Sequence, residues 1–560
     1  MKSMTRVTFL VLTALALSAC GDKTVADTKT WGDAATVQGA EDSITPEGIK
    51  AHIKVLADDD MEGRGPGTIG AARARDYLIS KLKAAGAKPG GAKGKWGQDV
   101  PMRRIVTSKQ TMRIRGLAAK DKAGFDWTPK YGKDYVLVSN RGAGEHAVDA
   151  ELVFVGHGAE APEYEWNDFE GLDCKGKILV MLVGDPPTAD QDLFGGAAMT
   201  YYGRWTYKFD KARELGAAGC LVVHKTPWAG YGWAVVFNSW RTPRFDIRGD
   251  DPSSMLGARG WVTWATAEKL VSKTGRTLDE LAAASAKRGF VPVPLGLRAQ
   301  TSLVNEVADL EDVNVVALME GSDAKLKAEW IIYTAHYDHL GAAAVPEGKD
   351  GIYNGAIDNA SGCGGILALA EAWGKLDPKP KRSAMFLFVG SEEKGLLGSR
   401  WFAEHPTVPL ENIVANINVD GINVHDETKD VEVIGSGQND LEQRLIAVLK
   451  KRGRHVLPDS ESEKGYYYRS DHFNFARVGV PALYIKGGQD MAGKPADFVK
   501  KARDVWRKNH YHRPSDEFDP AWSLKGGCAD IRALFRLGVN LGMTAERPQW
   551  SETSEFRPQD

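Results

Sequence analysis

The sequence predicts an α/β protein with a mostly parallel mixed sheet flanked by helices, and two observations carry that reading. From residue 314 onward, short apolar runs alternate with stretches of helical period. The runs are NVVALM (314–319), WIIYTA (330–335), SAMFLFV (383–389) and NIVANINV (412–419), with GILALAEAWGKL (365–376) and GSRWFAEHP (398–406) between them. Apolar strands alternating with helices are the pattern of parallel strands covered on both faces. The second observation is that three of these runs stop abruptly in polar side chains. Residues 330–335 lead into His336, Asp338 and His339, residues 383–389 into Glu392 and Glu393, and residues 413–419 into Asp420. In open α/β sheets, ligands bind beyond the carboxyl ends of the strands. One such end could be an ordinary polar loop. Three of them, with Asp358 and a late histidine, read as a metal-binding crevice.

Taken in order, the chain opens on a targeting segment. Lys2 and Arg6 give a positive start, residues 7–16 are apolar, and Leu17-Ser18-Ala19-Cys20 follows. The run is too short for a stable membrane helix. Leu-Ser-Ala-Cys resembles the lipobox of bacterial lipoproteins, which implies a signal peptide over 1–20, a lipidated Cys20 and an exported, periplasmic protein anchored to a membrane. Residues 21–43 read as a tether. Cys174, Cys220, Cys363 and Cys528 have no metal-ligand spacing; an exported protein could pair them, and four free buried thiols fit equally well.

Residues 44–57 (ITPEGIKAHIKVLA) and 71–86 (AARARDYLISKLKAAG) are spaced as helices, with Gly86 as a stop and a turn-rich break between them. From about 116 to 296 the texture changes. ELVFVGHG (151–158), KILVMLVGDPP (177–187) and GCLVVHKT (219–226) are short strands, with KFDKARELGAAG (208–219) as a helix. His157 has no carboxylate at ligand spacing and reads as structural. The aromatics of 201–240 either line a cleft or pack between domains. Beyond the strands named first, LEQRLIAVLKKRG (441–453) is an amphipathic helix, PALYIKGG (481–488) a late strand and CADIRALFRLGVNLGMTA (528–545) the closing helix. The chain has 560 residues, 43% of them hydrophobic, which is enough for a large core and more than one domain. With 72 basic and 74 acidic residues it offers no basic surplus for nucleic acid.

The segments HYDHLG (336–341), NGAIDNASG (354–362), SEEKGLLGS (391–399), NINVD (416–420) and YHRPSD (511–516) occur in the order of the dinuclear zinc aminopeptidase family and resemble its motifs. That family includes bacterial leucyl aminopeptidases and the glutamate carboxypeptidase II branch. The resemblance spans about residues 44 to 545 and implies a zinc exopeptidase fold. Residues 116–296 resemble an inserted, β-rich protease-associated domain, dividing the catalytic domain into 44–115 and 297–545, with a C-terminal tail over 546–560.

The resemblance implies two Zn2+ per chain, with manganese or cobalt also suited to such ligands. Carried over by motif, Asp358 bridges the two metals, His336 and Asp420 complete one site, and Glu393 and His512 the other. Asp338 orients His336, Glu392 is the general base and Tyr511 stabilises the oxyanion. Ser361 is suited to cap the helix behind Asp358, and the family often has a cis peptide after that aspartate. His339 and His510 read as neighbours of the site rather than ligands. The motif-like Asp471 and His472 could touch substrate or support the metal shell. The implied substrate is a peptide cleaved at its N-terminus. The alternatives are a carboxypeptidase of the glutamate carboxypeptidase type, decided by the charge lining the pocket, and a non-catalytic receptor on the same scaffold.

Overall fold

The computed structural model describes residues 34–117, 124–190, 193–249, 251 and 254–558. The expected signal segment over 1–20, including Cys20, lies outside these residues, as does most of the expected tether. Where the tether enters the described chain it is no tether. Ala34–Asp42 is a helix with Val37 and Ala40 buried in the core, and Glu41 pairs with Arg452 and Arg536.

The site-bearing sheet runs in the order His455–Pro458, Asp430–Ile434, Ala482–Gly487, Ile413–Asn418, Trp330–His336, Ser383–Val389 and the end of Val293–Met319. Ala482–Gly487, Ile413–Asn418, Trp330–His336 and Ser383–Val389 are mutually parallel, so three polar strand ends emerge on one side. Side-chain alternation splits each strand between two cores. Ile331, Tyr333, Ala335, Phe386 and Phe388 join the helices Pro46–Leu56, Gly362–Gly374 and Lys525–Met543 on one face. Ile332, Met385, Leu387 and Val389 pack with Phe402 and Phe475 on the other.

The inserted segment is joined more intimately than two separate modules would be. Gly97–Gly116 and Val293–Met319 form a long antiparallel ribbon from Leu297 opposite Gly116 to Val315 opposite Gly97. The second ribbon strand also pairs with Gly144–Phe154, so one 16-stranded sheet runs through both halves. Within the insert, Gly144–Phe154, Ile178–Leu182 and Gly219–His224 are parallel neighbours. Helices Trp205–Glu214, Trp264–Val271 and Leu278–Ala284 accompany them, so the insert is mixed rather than plainly β-rich.

The aromatics of 201–240 pack rather than line the cleft. Tyr201 meets Tyr468 and Phe473 across the two halves, and Trp205 meets Trp240 and Trp261. His157 is buried against Trp228, with Nδ1 2.9 Å from the Gly184 carbonyl, a structural setting. The four described cysteines are buried and unpaired. The expected C-terminal tail docks: Phe556 packs on Tyr467 and Tyr468, and the Tyr468 hydroxyl donates to Glu555 at 2.6 Å. Among the described residues, no helix is long and apolar enough to cross a membrane.

Candidate metal centre

Three strand ends and two loops bring the predicted residues together. His336 closes its strand and is fully buried; its Nε2 lies 3.3 Å from Asp358 Oδ1 and 3.3 Å from Asp420 Oδ1. The other oxygen of Asp358, Oδ2, lies 3.2 Å from His512 Nε2, which is also 3.2 Å from Glu393 Oε2. Asp358 therefore straddles two histidines, each backed by one further carboxylate. Glu392 sits beside the first group, with Oε2 4.0 Å from His336 Nε2. His336, Glu392 and Asp420 could hold one cation, and His339, Asp358 and Glu393 another.

The donor set fits divalent metal. His339 Nδ1 approaches Glu393 Oε1 to 2.7 Å. Yet Nε2 of His339 is buried without a hydrogen-bond partner. Buried polar atoms are rarely left so, and a mixed imidazole–carboxylate cluster converging on a point is what zinc ligation uses. The charges lean the same way. Burial pulls His512 down, but the carboxylates of Asp358 and Glu393 outweigh it and raise the imidazole to about 10. Burial drives Glu392 well above the usual carboxylate range, opposed by His336 and reinforced by Glu393 and Asp420.

Two loops hold the cluster. Arg64, in the turn-rich segment between the helices Pro46–Leu56 and Ile69–Ala84, is fully buried. Its guanidinium donates to the carbonyls of Leu56, Tyr337, Asn354 and Gly355. Tyr337 lies between His336 and Asp338, and Asn354-Gly355 leads into Asp358, so one side chain ties together two segments of the cluster. Asp516, from the YHRPSD motif, accepts from the backbone N–H of Ile357 and Asp358, both at 3.1 Å. Its position in a quoted motif was the available signal.

Several expectations need correction. The Asp338 carboxylate accepts from the backbone N–H of Glu392 at 3.0 Å and Glu393 at 3.3 Å. His336 Nδ1 faces the Asp338 main-chain carbonyl at 3.2 Å and stands 3.8 Å from the carboxylate. Asp338 thus orients the glutamate loop more directly than the imidazole, because the loop's free N–H groups point at it. Ser361 does not cap its helix; its hydroxyl donates to the Ile357 carbonyl, and Asn359 Oδ1 accepts from Gly362 N instead. The Asp358–Asn359 peptide, by contrast, is cis as the resemblance implies. His339 is buried among the donors rather than lining a cleft, while His510 Nδ1 turns away to Ser515. Asp471 and His472 are fully buried behind the site, out of reach of a substrate. Tyr511 is 43% exposed, with its ring stacked on His512 at 3.9 Å.

All five ligand candidates and Glu392 lie in the stretch 314–535, which matches the model of peptidase family M28. Relatives include the probable lipoprotein aminopeptidase LpqL of Mycobacterium tuberculosis, 26% identical over 37% of this chain and 41% of that protein. The aminopeptidase NAALADL1 of Mus musculus is 32% identical over 24% of this chain and 17% of its own length. The chain thus spans less than half the length of these relatives. Among solved structures, the aminopeptidase from Aneurinibacillus sp. strain AM-1 is 18% identical, covering 94% of this chain and 98% of its own at a TM-score of 0.48.

The candidate metal centre opens on a cavity of about 840 Å³. His336, Asp358, Glu392 and Asp420 form its floor, and Tyr511 stands at its side. Gly421, Ile422 and Asn423, which follow Asp420, line it as well. The far wall is the helix Phe498–Asn509, which the sequence reading did not find.

Proposed function

We propose that the protein is a metal-dependent exopeptidase that removes N-terminal residues from peptides, using two divalent cations, most suitably zinc. The observation that carries this reading is Asp358 straddling His336 and His512, with Glu392 adjacent, at the floor of a large open cavity. His336, Asp358 and Asp420 would hold one cation and Asp358, Glu393 and His512 the other, with His339 close enough to share the second. When bound, the cations polarise the scissile carbonyl and acidify water.

The chain's own residues do the rest. Glu392 takes a proton from the attacking water and returns it to the leaving amine. Its buried, carboxylate-rich surroundings raise its proton affinity toward that of a usable base. Asp338 fixes the backbone of Glu392 and Glu393, so the base and a ligand keep different directions. Tyr511, projecting into the cavity, donates its phenolic proton to the developing oxyanion.

A second reading, cleavage at the C-terminal side of a short peptide, draws support from the basic residues of the cavity wall: Arg469, Lys486, Arg503 and Arg507. The two readings part on a panel of aminoacyl anilides against C-terminal glutamyl peptides, with and without chelator. Chelator-sensitive release from the anilides supports the aminopeptidase. No anilide turnover with two metals bound, and cleavage of the glutamyl peptides, overturns it. We also propose that residues 116–296 are a protease-associated module shaping access to the cavity, inserted between catalytic parts 44–115 and 297–545. The protein would be exported to the periplasm and lipid-anchored through Cys20; the lipoprotein relative supports that address.

A further inference from the structure

One wall of the cavity gathers positive charge that the protein neutralises only in part. Three cations surround the ring of Tyr466: Lys486 Nζ at 4.0 Å from its centroid, the Arg469 guanidinium at 5.2 Å and that of Arg507 at 5.4 Å. Tyr466 and all three cations line the same cavity as Glu392 and Asp420. Like charges around one ring repel, and the ring's face offsets only part of that.

Two of the nearby carboxylates pair with other cations. Arg507 is paired with Glu461 at 3.0 Å. Glu432, directly across the sheet from Lys486, is taken by Arg503 at 2.8 Å and by the Ser460 backbone at 2.8 Å. Among the described residues, neither Lys486 nor Arg469 has an ion-pair partner; Arg469 donates only to the Lys464 carbonyl. Lys486 also stands close to the metal centre. It shares a strand face with Tyr484, two residues earlier, and the Tyr484 hydroxyl donates to the backbone carbonyl of Asp420 at 3.1 Å.

We propose that Lys486, flanked by Arg469, is a specificity residue that receives a carboxylate of the peptide substrate. This rests on the peptidase reading and adds the substrate class: peptides carrying an anionic group one residue or so from the scissile bond. A free amine is repelled by this wall, so the substrate's amino end faces the acidic floor. The carboxylate can come from an acidic N-terminal side chain or from the C-terminus of a short peptide; both present the same group to the ammonium.

The test uses the metal-loaded full chain and reads ratios of kcat/KM. Glutamyl against glutaminyl anilide isolates the side chain, and a dipeptide against its C-terminal amide isolates the terminus. One ratio should exceed unity by about tenfold, as for a half-exposed charge pair. Lys486→Met should bring it near one through KM, Lys486→Arg should keep most of it, and Arg469→Gln should lower it partly. The ratio that moves names the source. Calorimetric binding of glutamate against glutamine to Glu392→Gln reads the same preference without turnover. A protein that turns over nothing, yet binds glutamate about tenfold better unless Lys486 is changed, supports the site while removing the peptidase reading. Ratios near one in the unaltered protein, or ratios that Lys486→Met leaves in place, overturn the proposal.

Discussion

Replacing Arg64 by methionine should weaken both the fold and the metal centre. The guanidinium supplies donors to four backbone carbonyls, those of Leu56, Tyr337, Asn354 and Gly355, the Tyr337 bond being 2.7 Å and the Gly355 bond 2.8 Å. Methionine fills much of the volume but donates nothing. Each carbonyl left unpartnered in the interior costs about 1 kcal/mol or more, giving roughly 4 kcal/mol for the set. Relief of the buried charge offsets part of this, since burial already presses Arg64 below its ordinary range. A loss of about 3 kcal/mol is a large share of the stability of an ordinary domain. The effect should reach the site, because the released backbone flanks His336 on one side and leads into Asp358 on the other. Residues that orient metal ligands typically account for about 10- to 100-fold in affinity. Urea unfolding gives the stability and competition with a chromogenic chelator gives the affinity. Unfolding within about 1 kcal/mol of the parent, together with unchanged metal affinity, would refute the argument.

Three further outcomes follow from the same geometry. Glu392→Gln should lower kcat by about 10²- to 10⁴-fold while metal analysis still finds the cations; parent-like turnover would remove Glu392 as the base. Asp516→Ala strips the acceptor from the N–H groups of Ile357 and Asp358, so metal affinity should fall by about tenfold or more in a chelator titration. Acid should destabilise the insert through His157, whose burial, aided by the Lys208 charge, holds its imidazole down at about 3. The unfolded chain takes up that proton near pH 6.5, so this contribution is complete above 6.5 and shrinks as pH falls toward 3. By pH 5 it is reduced by about 2 kcal/mol. His157→Gln should flatten the difference between urea midpoints at pH 7 and pH 5, and an unchanged difference would contradict the assignment.

The sequence by itself determined the strands that carry the site and the polar residues that end them. Trp330–His336, Ser383–Val389 and Ile413–Asn418 are buried on both faces. Their apolar runs are therefore unbroken, and the change to His336, Glu392 and Asp420 is abrupt enough to see without a fold. What local pattern could not carry was anything set by a distant partner. The ribbon strand Gly97–Gly116 mixes buried and exposed positions and gains its length only by pairing with Val293–Met319. The helix Phe498–Asn509 carries an apolar stripe at helical spacing, Phe498, Val499, Ala502, Val505 and Trp506, but that this stripe walls the cavity, with only Val499 buried, was set by the fold. Arg64 looked like one basic residue in a turn, since its four acceptors lie up to 291 residues away. Asp338 lies two residues from His336, which suggested a partner. The tertiary structure turned its carboxylate to the Glu392–Glu393 backbone, because folding brings those two N–H groups to it from another strand end. Periodicity and abrupt polarity are written along the chain; hydrogen-bond partners and the charge of a cavity wall exist only once separate segments meet.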